Sequence, residues 1–144
     1  MSICEYKILL PRTENCCALP LYGCRVEAGY PSPAEDYLEG RLDLNEHLIR
    51  RPAATFFLTV SGESMTGAGI FPNDILVVDR SLEAKHGSIV IAVLDGELTV
   101  KRLYRKGGVL RLMPENSQFR PLDIRDEMEF QIWGVVRHAI HSFE

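Results

Sequence analysis

Ser64 and Lys101 are of the types that nucleophilic catalysis requires. Ser64 belongs to the turn-forming stretch Ser-Gly-Glu-Ser-Met, which follows an apolar run, and Lys101 lies in the strand-like stretch Thr-Val-Lys-Arg-Leu. A serine hydroxyl is a weak nucleophile at neutral pH and needs a neighbouring base. A lysine amine can act as that base when burial lowers its pKa. We therefore interpret Ser64 as a candidate nucleophile and Lys101 as its candidate general base.

Each of these residues also has a common structural interpretation. Serine often caps a helix or forms a turn, and lysine on a strand usually faces solvent. A serine that starts a helical turn has backbone N–H groups near its hydroxyl, so those of Glu63 and Ser64 are candidates for an oxyanion hole. Strand alternation places Thr99 on the same face as Lys101, where its hydroxyl could orient the amine. The sequence alone leaves both interpretations open.

Other catalytic or metal-binding patterns are weaker. The four histidines form no recognisable Ser-His-Asp arrangement, although chain order alone does not exclude one. The four cysteines all precede residue 25 and have neither C-x-x-C spacing nor a nearby histidine. We interpret them as free thiols and expect no metal and no cofactor. The histidines are His47, His86, His138 and His141, and the cysteines are Cys4, Cys16, Cys17 and Cys24.

Length and charge restrict the classes of function. The chain has 144 residues, of which 46% are hydrophobic and 25% charged, values typical of one globular domain with room for an arm. Its net charge of -4 and its lack of a basic run argue against direct sequence-specific DNA binding. No apolar stretch reaches the roughly 20 residues of a membrane span, and the N-terminus lacks a signal-peptide pattern. We therefore expect a cytoplasmic protein without membrane contact.

The chain divides into three parts by pattern. Residues 1–28 keep no regular period and predict an extended arm with room for one short strand. Residues 29–50 begin with a proline-containing linker and continue with a mixed apolar and charged pattern. This pattern predicts one or two short helical turns, interrupted at Gly40 and capped at Asp43. Residues 51–144 read as β structure.

Short strands separated by turn residues predict a mainly β fold. Thr55–Val60 and Ile75–Asp79 are rich in β-branched and aromatic residues. Asp95-Gly96 stands between two apolar runs, which is the pattern of a tight hairpin. Val109–Met113 follows a Gly-Gly turn, and residues 128–140 close the chain as a long strand or a pair of strands. We expect a compact antiparallel β domain or partial barrel with short helical turns.

Several motifs in order resemble a known family. They are Ala-Gly-Tyr-Pro-Ser-Pro-Ala from Ala28, Asp-Leu-Asn from Asp43, Ser-Gly-Glu-Ser-Met from Ser61 with Gly69-Ile70, His86-Gly87, Asp-Gly-Glu from Asp95, Thr-Val-Lys from Thr99, Pro-Glu-Asn-Ser from Pro114 and Gly-Val-Val from Gly134. Together they span most of the chain. They resemble the LexA and UmuD group of self-cleaving serine peptidases (S24), whose fold is similar to that of signal peptidases, and the UmuD branch most closely.

The resemblance implies a specific activity. Ser64 and Lys101 would form a Ser-Lys dyad that cuts the chain's own Ala28–Gly29 bond and removes residues 1–28. A RecA–single-stranded DNA filament would stimulate the cut. The resemblance also implies a homodimer, a role in the SOS response to DNA damage, and assembly of the shortened form with a Y-family, UmuC-like translesion polymerase.

Some features depart from the UmuD pattern. Ala28-Gly29 at the expected cleavage site follows the LexA branch, whereas UmuD-type proteins often have Cys-Gly. Gly67 stands where an acidic residue is common. Residues 1–28 are too few for the helix-turn-helix of a LexA-type repressor. Two alternatives remain at this level: a non-catalytic interaction module with a vestigial dyad that regulates a polymerase partner, and a peptidase that acts on other substrates.

Overall fold

The architecture is an antiparallel β structure, seen in a computed structural model that describes residues 16–23, 25–31 and 38–144. The strands are β1 Ala18–Tyr22, β2 Leu38–Asp43, β3 Thr55–Thr59, β4 Ile75–Asp79, β5 Ile89–Leu94, β6 Glu97–Lys106, β7 Val109–Met113, β8 Leu122–Asp123 and β9 Phe130–Ile140. The one α-helix in these ranges is α1 Leu44–Leu48, and single 3-10 turns span Pro52–Ala54 and Thr66–Ala68. The predicted mainly β fold class is confirmed.

The described residues separate into two units, one ending at Arg50 and one running from Arg51 to Glu144. In the first unit β1 pairs antiparallel with β2, and Ala18 lies opposite Asp43. The side chain of Asp43 accepts a hydrogen bond from the N–H of Asn45 at 2.9 Å. It therefore caps α1, as the sequence predicted.

One local prediction in this unit was wrong. Helical turns were expected over residues 34–48, but Leu38–Asp43 forms a strand and only Leu44–Leu48 is helical. Pairing with β1 explains why this segment is a strand. Gly40 and Arg41 form part of an antiparallel ladder with β1, and a helix could not form that ladder. Gly40 also lowers helix propensity. Residues 34–37 lie outside the described residues, as do residues 1–15 of the expected arm.

The second unit is built around a seven-stranded sheet in the order β3-β4-β9-β5-β6-β7-β8, in which every neighbouring pair is antiparallel. The sheet does not close into a barrel, so β3 and β8 remain as its edges. Asp95 and Gly96 connect β5 to β6 with φ values of 49° and 84°. Such a turn matches the twist of the flanking strands, and the predicted hairpin is confirmed.

The core of this unit consists of two clusters of buried side chains, one of which includes residues of the β3–β4 loop. The first cluster includes Met65 and Ile70 from the loop between β3 and β4, which are 2% and 3% exposed. The second cluster consists of Val90, Ala92, Leu103 and Leu112 from β5, β6 and β7. Burying a side chain the size of Met65 or Ile70 contributes about 1.5–3 kcal/mol. These two residues therefore hold the β3–β4 loop against the sheet.

β9 lies in the middle of the sheet, and its pairing is irregular at two points. Its register shifts once against β4 and once against β5. A side chain at Gly134 would collide with the Val78 side chain, so glycine permits the close approach of the neighbouring strand. Strand β8 was not expected from the sequence, because two residues are too few to show a period.

Candidate active site

The loop that carries Ser64 runs from the end of β3 to the start of β4. Two backbone hydrogen bonds of 2.8 Å join Val60 to Asp74 and Asn73 to Val60, and so close its base. Within the loop, the carbonyl of Met65 accepts hydrogen bonds from the N–H groups of Ala68 and Ile70. Ser64 therefore sits just before the short 3-10 turn, partly buried, on a loop anchored at its base and by its own apolar side chains.

Lys101 lies in the interior of β6 and reaches Ser64. Its Nζ atom is 3.0 Å from Ser64 Oγ, 2.8 Å from Thr99 Oγ1 and 3.2 Å from the carbonyl oxygen of Val100. β6 pairs with β5 on one side and β7 on the other, and Lys101 lies opposite the fully buried Val90. The sheet thus brings together two side chains that are 37 residues apart in sequence.

The electrostatic surroundings of Lys101 favour the neutral amine. Burial lowers the pKa of Lys101, because the charged form loses solvation inside the sheet. Within residues 16–23, 25–31 and 38–144, no carboxylate forms an ion pair with it to oppose that effect. A neutral amine has two N–H donors and one lone pair, so it can donate to Thr99 and Val100 while accepting from the Ser64 hydroxyl.

The backbone around Ser64 has engaged carbonyl groups and open N–H groups. The Ser64 carbonyl accepts a hydrogen bond from the N–H of Glu115 at 2.8 Å. The Glu63 carbonyl accepts one from the side-chain amide of Asn116, also at 2.8 Å. Among the described residues, the N–H groups of Glu63 and Ser64 donate to no partner. They therefore remain candidates for an oxyanion hole, which requires free N–H donors beside the hydroxyl.

Ala28 and Gly29 lie in the first unit, in an exposed stretch that contains no regular secondary structure. A side chain added at Gly29 would meet no atom within 4 Å. The described atoms therefore leave open space beside Gly29. Of the predicted site residues, Ser64, Lys101, Thr99 and Glu63 therefore lie together in the second unit. Ala28 and Gly29 belong to the first unit.

Glu115 and Asn116 also contact the Ser64 turn, although sequence analysis assigned no role to either residue. The carbonyl of Glu115 accepts a hydrogen bond from the N–H of Gly67 at 2.7 Å, so its backbone contacts the turn at two points. The Asn116 amide also lies 3.4 Å from Thr66 Oγ1. The available signal was their place in the ordered motif Pro-Glu-Asn-Ser, but nothing in that motif specifies contacts made by backbone atoms.

An open groove of about 570 Å³ adjoins the Ser64 turn. The rings of two prolines and a phenylalanine line it together with polar side chains. Its lining consists of Thr66, Gly67, Pro114, Glu115, Asn116, Ser117, Phe119 and Pro121.

The histidines and thiols have other surroundings. His141 Nδ1 lies 2.5 Å from the buried carboxylate of Asp74, at the base of the loop rather than beside Ser64. His86 is exposed in a turn and accepts a hydrogen bond from the N–H of Arg105. Cys16 and Cys17 are exposed free thiols, whereas Cys4 and Cys24 lie outside the described residues.

Comparison with known proteins places the chain in a family. The Peptidase S24-like family matches residues 20–137. The chain belongs to this family. It is 47% identical to Protein ImpA of Escherichia coli over 142 residues, which cover 98% of this chain and 96% of that protein.

Two further relatives support the assignment to the UmuD-like branch of the S24 family. Protein MucA of Salmonella typhimurium is 48% identical over 124 residues, covering 85% of this chain and 84% of the relative. Protein SamA of Salmonella typhimurium strain LT2 is 48% identical over 123 residues, covering 85% of each. In the ranges that the structure describes, no helix has the length and apolar character needed to cross a membrane.

Proposed function

We propose that this S24 protein is a serine endopeptidase that cuts its own Ala28–Gly29 bond with a Ser64–Lys101 dyad. The observation that carries the proposal is the 3.0 Å distance between Lys101 Nζ and Ser64 Oγ, on a lysine whose pKa is lowered by burial. A hydroxyl beside a neutral amine is an activated nucleophile. The family match supports a serine peptidase independently of this geometry.

The reaction proceeds in two steps. Neutral Lys101 accepts the proton of Ser64, whose oxygen attacks the carbonyl carbon of Ala28, and the N–H groups of Glu63 and Ser64 stabilise the oxyanion. The bond to Gly29 then breaks, the protonated amine of Lys101 gives its proton to the leaving nitrogen, and an ester remains on Ser64. Water, deprotonated by Lys101, hydrolyses that ester and restores the dyad.

The cellular role that we propose follows from the family resemblance. A RecA–single-stranded DNA filament stimulates the cut in the cytoplasm during the SOS response. The arm of residues 1–28 leaves, residues 29–50 become the new terminal segment, and the domain of residues 51–144 remains. The shortened homodimer then acts as an accessory subunit of a Y-family, UmuC-like polymerase in translesion synthesis.

The deciding experiment is mass spectrometry of the purified chain after incubation alone at alkaline pH. We expect two products, with a new N-terminus at Gly29. Ser64→Ala and Lys101→Ala should each slow the reaction by at least about 10³-fold, because neither group acts without the other. Equal product from either variant would refute the dyad. If the wild-type chain stays intact both alone and with the RecA–single-stranded DNA filament, the result would favour a non-catalytic interaction module.

A further inference from the structure

We propose that Arg102 and Glu115 are positioning residues that hold the Ser64 turn in register with Lys101; this inference rests on the proposed peptidase function. Arg102 is the residue that follows Lys101 on β6. Its Nε atom donates to Glu115 Oε1 at 2.5 Å, and its Nη1 atom donates to the carbonyl of Gly87 at 2.6 Å.

Glu115 links this ion pair to the nucleophile through its backbone. Its N–H donates to the carbonyl of Ser64 at 2.8 Å, and its carbonyl accepts from the N–H of Gly67 at 2.7 Å. The same residue therefore clamps the turn at both ends while its carboxylate is held by Arg102. Through these contacts the turn with the nucleophile is tied to the strand with the base.

The arrangement depends on the shape of the guanidinium group. Alternation along β6 directs Arg102 to the face opposite Lys101, so the cation supports the strand without competing for Ser64. A guanidinium can donate to two acceptors in different directions, here a carboxylate and the Gly87 carbonyl, whereas a lysine amine at this point would reach one of them. The pair is only about two-thirds buried, with 36% and 35% of the two side chains exposed. We therefore expect its effect on geometry to exceed its effect on global stability.

Cleavage rates in four variants test the coupling. Arg102→Ala and Glu115→Ala should each slow self-cleavage by roughly 10- to 100-fold, since small misplacements of reacting groups cost that much. The double variant should be no slower than either single one, because each substitution removes the same Arg102–Glu115 ion pair. Arg102→Lys should recover part of the rate. Rates at the wild-type level in the single variants, or losses that simply multiply in the double variant, would overturn the inference.

Arg111→Ala is the matched control. Arg111 Nε forms a similar bond of 2.6 Å with Asp123 Oδ1, but this pair joins β7 to β8 and does not contact the Ser64 turn. We expect this variant to cleave at the wild-type rate. A loss equal to that of Arg102→Ala would show that removal of any such ion pair slows the reaction, and would contradict the positioning role.

Two further readouts separate positioning from other effects. The pH at which the rate is half-maximal should be the same in Arg102→Ala as in the wild type. The ion pair is proposed to set the distance between Ser64 and Lys101, whereas the pKa of Lys101 depends on its burial. Amide hydrogen exchange at Gly67 and Glu115, followed by NMR in a Ser64→Ala background, should be faster without Arg102.

Failure of the proposed function can be distinguished from failure of the positioning role. If the wild-type chain is never cut, the proposed function fails while exchange still reports on the clamp. If the chain is cut, but the cleavage rate and the amide exchange rates are the same in Arg102→Ala as with Arg102 present, only the positioning role fails.

Discussion

Thr99 Oγ1 lies 2.8 Å from Lys101 Nζ, closer than the Ser64 hydroxyl at 3.0 Å. The two residues are two positions apart on β6, so strand alternation keeps both side chains on one face. We therefore expect the threonine hydroxyl to orient the amine so that its lone pair faces Ser64.

This contact predicts the effect of changing Thr99. Thr99→Val keeps the shape and the strand propensity but removes the acceptor, and we expect self-cleavage to slow about tenfold, the equivalent of one hydrogen bond. Thr99→Ser is the control, because it retains the hydroxyl and should keep most of the rate. Product formation measured by gel densitometry compares them. Equal rates for the valine and serine variants would show that the hydroxyl does not orient the amine.

The lowered pKa of Lys101 predicts how the rate depends on pH. Burial disfavours the ammonium form, so the neutral base becomes available below the ordinary lysine value of about 10.4. Unaided cleavage should therefore rise with pH through the lowered pKa and level off above it. The measurement is the initial rate at constant ionic strength between about pH 7 and about pH 10. A rate that stays flat over this range would argue against lysine as the base.

The same pKa shift predicts a pH-dependent stability. Lys101 has a lower pKa in the folded chain than in the unfolded chain, so between the two values the unfolded chain binds more protons. The free energy of unfolding should therefore rise with pH across that window, relative to a variant without the amine. Urea unfolding of the Ser64→Ala chain and of Ser64→Ala with Lys101→Met, at several pH values from about 7 to about 10, measures this difference. A difference that is constant or shrinks with pH would contradict the shift.

The close packing at Gly67 predicts that a larger residue there would destabilise the Ser64 turn. A side chain at this position would overlap the carbonyl oxygen of Glu115, which is already bonded to the Gly67 N–H. We expect Gly67→Ala to lower the free energy of unfolding by about 1–3 kcal/mol and to slow cleavage.

Gly40→Ala is the control for this variant. Gly40 has ordinary backbone angles and no atom within 4 Å of an added side chain, so its change in stability should stay within about 0.5 kcal/mol. Chemical denaturation of both variants gives the comparison. Similar small changes for the two would mean that the Ser64 turn can move away from Glu115 without cost.

The sequence by itself determined the local elements and the candidate pair. Period-two patterns and turn residues located Ile75–Asp79 and the Asp95-Gly96 hairpin, because these features depend on neighbours a few residues away. Residue type singled out Ser64 and Lys101, since few side chains serve as nucleophile and base.

Only the tertiary structure determined the features that depend on residues far apart in sequence. Leu38–Asp43 is a strand because Ala18–Tyr22 pairs with it, although its local pattern suggested a helix. The 3.0 Å approach of Lys101 to Ser64 follows from the order of strands in the sheet and the anchoring of one loop. The clamp by Glu115 uses backbone atoms, which do not depend on the side chain. No sequence pattern can mark such a contact, so only the folded arrangement of the chain reveals it.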